Sequence, residues 1–158
     1  MLADSLAELA GEYGWRWNRR DGEALVRSME SWQPFPDTVP ALRATREAGI
    51  GLWIISNCDR AIIEHSLRHM DVEFDGVTVA EDCRAYKPSR APFEHALREI
   101  DVPPDQILHV AFGFKYDIGP AQELGLATAW VNRHRDPPPG DARPDHEWTD
   151  LWPLAGVA

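Results

Sequence analysis

The chain has 158 residues, enough for one domain with a real core and too few for two large ones. Its 26 acidic residues against 16 basic give a net charge of -10, and no basic patch stands out, which argues against nucleic acid or an anionic membrane as a partner. The two cysteines, Cys58 and Cys83, form neither a metal-like pair nor a disulfide framework, and Asp4 and Glu8 stand where a signal peptide would be positive. No apolar run approaches a membrane span. The expectation is therefore a cytoplasmic protein.

Leu6, Leu9, Ala10 and Tyr13 recur at helical spacing and Gly14 closes the pattern. Asp21 is placed to cap a second helix running to about Trp32, with Leu25, Val26 and Met29 on one face. The prolines of Gln33-Pro-Phe-Pro-Asp37 break helix, and the segment reads as a hinge, with Asp37 as cap for a helix carrying Val39, Leu42 and Ala48. This divides the chain into a helical part, 1–34, and an α/β body, 35–158, with a proline-rich tail.

Gly49 ends that helix, and Leu52 to Ile55 form an apolar run of the length and type of a strand buried on both faces. It stops in Ser56, Asn57, Cys58 and Asp59, and a helical pattern follows over 60–70. The carboxyl end of such a strand is where parallel α/β sheets bind ligands. A short strand around Val77 to Ala80 leads to the polar loop Glu81 to Pro88, which delivers Lys87 ahead of a helix with Phe93, Ala96, Leu97 and Ile100. Pro103 and Pro104 precede a strand from Ile107 to Phe112. A loop and helix over Gly113 to Leu124 and a strand from Ala127 to Val131 complete the alternation, which implies a parallel, doubly wound sheet with helices on both faces. In the tail only His146 to Trp152 is expected to return to the body.

From Phe35 to Arg133 the chain resembles the haloacid dehalogenase-like (HAD) superfamily, most closely its 2-haloacid dehalogenase-type branch. The features that carry the resemblance stand in the family's order: Ser56-Asn57 at a strand end, Ala85-Tyr-Lys-Pro88 before a helix, Ile107-Leu-His-Val-Ala111 followed by Asp117, and Gly125 to Arg133. It implies a HAD-like, Rossmann-like sheet and makes the first helices a remnant of the branch's helical cap. It also implies that Ser56, assisted by Asn57, hydrogen-bonds a carboxylate or phosphate of the substrate. Lys87 then holds that anion, and Asp117 positions Lys87 or, as in the family's phosphatases, completes a magnesium site.

Two departures from the family accompany these matches. The family's nucleophile is an aspartate ending a first, central strand, and no strand-like apolar run precedes Leu52; Asp4, Asp21 and Asp37 sit in helical or capping contexts. In the fourth motif, metal-dependent relatives have Gly-Asp-Ser where this chain has Ala111-Phe112-Gly113, so no metal or other cofactor is expected. Phe112 and Phe114 are either core or an apolar lining that suits a hydrophobic ligand. Ser56 and Asn57 equally suit a helix cap, Lys87 a salt bridge to Asp117, and Cys58, Lys115 and His109 carry no assigned role, His109 being placed away from the strand's carboxyl end.

The reading that results is a HAD-like protein without the nucleophilic and metal-binding aspartates. It holds a small carboxylated or phosphorylated, partly apolar metabolite, without hydrolysis or with a recruited reaction such as proton transfer. The alternatives are a hydrolase whose first strand lies outside this chain or comes from another, and a non-catalytic interaction module. With the central strand missing, a homodimer or a partner chain is expected to complete the sheet.

Overall fold

A computed structural model describes residues 2–140 and 143–156. Helices α1 (Leu2–Glu12) and α2 (Arg19–Ser28) pack on each other. The cap of α2 is Asn18, not Asp21. Asn18 takes extended backbone and its side chain accepts from the Arg20 amide, while the Asp21 carboxylate accepts from the Asn18 amide, each at 2.8 Å. Asp21 thus closes a capping box from inside the first turn.

The turn after α2 reaches the body through His69, whose ring contacts the Gln33 amide at 3.1 Å and the Glu30 carbonyl at 2.9 Å. Asp37 precedes α3 (Thr38–Glu47), as expected, but its carboxylate does not cap it. It is 6% exposed, and it accepts instead from Arg133 at 2.8 Å and from the Leu151 amide at 2.7 Å. A buried carboxylate gains more from a guanidinium than from a helix amide, so Asp37 ties the tail to the body.

Gly49, at φ +83°, ends α3 in the left-handed region that favours glycine. Strand β1 (Trp53–Ser56) follows and pairs in parallel with β2 (Gly76–Val79) across α4 (Arg60–Met70). Register sets Trp53 opposite Gly76, and the indole lies where any Cβ on Gly76 would be. Part of the expected loop after β2 is a single helical turn, α5 (Ala80–Cys83), before α6 (Ala91–Ile100).

Strand β3 (Leu108–Ala111) leads through a π-helical turn, Phe114–Ile118, into α7 (Gly119–Glu123) and β4 (Ala127–Val131). The tail returns as a strand, β5 (His146–Trp148), parallel to β4. Asp145 pins it by accepting from the Thr128 amide and hydroxyl, each at 2.8 Å.

All pairings are parallel, but the strands form two sheets, β1-β2 and β3-β4-β5. Phe93, Ala121 and Leu126 pack with Ile55 and Ile107 and so bridge the two halves; burying the Phe93 ring contributes roughly 2–3 kcal/mol. Between them, β1 and β3 border a cavity of about 1010 Å³ lined by Ile54, Ile55, Val110 and Ala111, with Lys87 and Asp117 also on its wall. Strand edges left this way hold backbone donors and acceptors ready for another strand. Among the described residues, no helix is long and apolar enough to cross a membrane.

Candidate functional site

The site lies where β1 and β3 end. Asn57 follows β1 and spends both ends of its amide on one residue. Its carbonyl accepts from the Lys87 amide at 2.6 Å, and its Nδ2 donates to the Lys87 carbonyl at 3.0 Å. This clamp fixes the loop before α6 and aims the lysine at the strand end. There Nζ donates to the Ile55 carbonyl at 2.8 Å and to Asp117 Oδ1 at 2.5 Å. Both side chains of the ion pair are 11% exposed.

Asp117 is set by the π-helical turn, where its amide donates to the Gly113 carbonyl at 2.7 Å. Gly113 leaves room for the carboxylate, since a Cβ there would collide with Asp117 Oδ2. Burial pushes the Asp117 carboxyl up, but the His109 ring and the Lys87 ammonium together outweigh burial and hold it below the ordinary carboxylate range. His109 is thus a site neighbour, which the sequence reading missed. Its Nε2 stands 3.5 Å from Asp117 Oδ1, and its ring meets Phe93 edge-on at 5.2 Å. The available signal was one polar residue interrupting the apolar run Ile107 to Phe112.

Ser56 Oγ lies 2.9 Å from Cys58 Sγ, a weak hydrogen-bonding partner. The structure therefore brings Ser56, Asn57, Lys87 and Asp117 to one strand edge, with Asn57 holding the lysine's backbone. Phe112 and Phe114 divide. Phe114 packs edge-on against Trp130 at 5.0 Å, whereas Phe112 is 57% exposed, beside His134. Lys115 sits over the Tyr116 ring at 5.7 Å, outside this network.

An ammonium removed from water can neutralise a small anion and discriminate against a neutral ligand. A divalent cation does not fit these residues. Among the described residues no three His, Cys, Asp or Glu side chains converge, Asp117 Oδ1 is taken by Lys87, and Phe112 supplies no oxygen.

Comparison with known proteins agrees with the fold. The profile of the family described as haloacid dehalogenase-like hydrolase matches residues 4–125. An (S)-2-haloacid dehalogenase of Pseudomonas putida is 30% identical over 116 residues, covering 72% of this chain and 51% of that protein. Pyrimidine 5'-nucleotidase YjjG of Escherichia coli K12 is 33% identical over 126 residues, 76% of this chain and 55% of its own length. The crystal structure of the L-2-haloacid dehalogenase RSc1362 superposes with a TM-score of 0.89 at 30% identity, covering 98% of this chain and 69% of that one. The chain spans about half the length of the curated relatives it matches.

Proposed function

Since the chain belongs to the haloacid dehalogenase-like hydrolase family, we propose that it supplies the anion-holding half of a hydrolytic site of that type. The substrate is a small carboxylate or phosphate ester with an apolar part. Lys87 and Ser56 receive the anionic group, Asp117 and Asn57 hold the lysine in place, and Phe112 offers an exposed apolar face to the remainder. Attack on carbon or phosphorus then requires an aspartate carried on an extended segment lying between β1 and β3.

The observation that carries this reading is the position of Lys87 Nζ. It sits at the carboxyl end of β1, bonded to a strand carbonyl and to Asp117, on the wall of a cavity bordered by both sheets. Among the described residues, no carboxylate other than Asp117 lies within ion-pair distance of that nitrogen. Asp117 is spent on orienting the cation, so these residues bind the anion without attacking it.

The test is turnover of 2-chloropropionate and of p-nitrophenyl phosphate by the chain alone and by the chain joined to an apolar strand ending in aspartate. Binding without turnover by the first, and turnover by the second, is the expected pair of results. Turnover by the chain alone refutes the reading. The same gap supports a homodimer or a partner chain as what completes the sheet, and a monodisperse monomer in light scattering, with β1 and β3 protected from hydrogen exchange, counts against that.

A further inference from the structure

Among the described residues, His109 Nε2 is a fully buried side-chain nitrogen that makes no hydrogen bond. Such atoms are rare, because the water lost on burial is not replaced. Its neighbour is Asp117 Oδ1 at 3.5 Å, the same oxygen that accepts from Lys87 Nζ. The imidazole stands edge-on against Phe93, which is 0% exposed, and borders the cavity between the sheets. Asp117 sits in a turn only five residues long, and one carboxylate oxygen accepts from two donors without difficulty.

We propose that His109 is a positioning residue for the anion site: with a proton on Nε2, it becomes the second donor to Asp117 when Lys87 turns its charge to an anion. Drawing the ammonium toward a ligand weakens its bond to Asp117 and would leave a buried carboxylate short of a donor. A small rotation of that carboxylate brings Oδ1 from 3.5 Å into hydrogen-bond range of His109. The imidazole thereby lowers the cost of moving Lys87. The binding arm of the test rests on the reading of Lys87 given above; the tautomer arm does not.

Imidazole nitrogen resonances of the labelled chain report which ring nitrogen carries the proton. The expected result is an Nε2–H tautomer whose proton shifts downfield on adding sulfate, with that response lost in Asp117→Ala. An Nδ1–H tautomer overturns the proposal, as does an Nε2 proton that ignores sulfate while sulfate binds. In titrations with sulfate, His109→Gln keeps a donor and stays within about twofold of the parent, while His109→Phe binds roughly three to ten times more weakly. Equal affinity in His109→Phe also overturns it, and if that variant fails to fold, the tautomer and His109→Gln decide. A parent chain that binds no sulfate removes the reading of Lys87, and the dependence of the Nε2 proton on Asp117 then decides the His109 contact alone.

Discussion

The two sheets end in opposite kinds of chemistry. The β1 side closes in hydrogen bonds: the Asn57 amide clamps the Lys87 backbone and the Ile55 carbonyl holds its ammonium. The β3 side closes in aromatic rings, Phe114 packed on Trp130 and Phe112 in solvent, with Asp117 as the acid that reaches across. The difference fits the proposed reading, with recognition of charge assigned to one half and apolar selectivity to the other. The Lys87–Asp117 pair is a polar link between them, beside the apolar bridge through Phe93.

The hardest way to break that arrangement is Lys87→Met. It leaves the Asp117 carboxylate buried beside an apolar chain, and urea unfolding should record a loss of about 3–5 kcal/mol. Restoring a neutral pair in Lys87→Met/Asp117→Leu should recover most of that stability and none of the anion binding. Asn57→Ala acts one step back, removing the partners of both Lys87 backbone groups, and costs about 1–3 kcal/mol. Asn57→Asp keeps an acceptor for the Lys87 amide, loses the donor to its carbonyl, and falls between.

A smaller effect comes from Gly113→Ala, whose methyl enters the space of Asp117 Oδ2. It should cost about 1–2 kcal/mol and weaken anion affinity together with stability. Acid probes the same pair. The Asp117 carboxyl is lowered in the folded chain, so its contribution is complete above the ordinary carboxylate value of about 3.9 and fades as pH falls through the depressed folded value. Asp37 is lowered too: burial raises it, and the Arg133 and Leu151 contacts more than offset that. Stability should therefore fall below about pH 4, and Asp117→Asn should flatten part of that slope in acid-unfolding curves.

The smallest expected change separates the two rings. Phe112→Ser, at an exposed position, should alter stability by less than about 0.5 kcal/mol while changing preference among apolar carboxylates. Phe114→Ser removes a ring packed on Trp130 and should cost several times more. An equally large loss from both would show that Phe112 too serves as core.

Periodicity and punctuation in the sequence were sufficient for the alternation of strands and helices, because β1, β3 and β4 are short apolar runs bounded by polar or glycine residues. They were not sufficient for β5. His146-Glu-Trp148 has no apolar run, and it becomes a strand through its pairing with β4 and the Asp145 contacts. Asp37 looked like a cap because local rules see only neighbours within a turn, whereas its partners Arg133 and Leu151 lie far along the chain. Lys87 and Asp117 were legible as a pair through the resemblance. His109 was not, since a lone histidine in a strand carries no spacing, and its importance comes from the turn that brings Asp117 back beside it. Asn57 was legible at the strand end, while its two hydrogen bonds to the Lys87 backbone depend on a loop conformation that composition does not encode.

The central claim is that Lys87 receives the anionic group. Calorimetric titration of 2-chloropropionate into the chain and into Lys87→Gln tests it most directly. Saturable binding by the parent, weakened at least about tenfold in a folded Lys87→Gln, is the predicted result; equal binding by the two chains would contradict it.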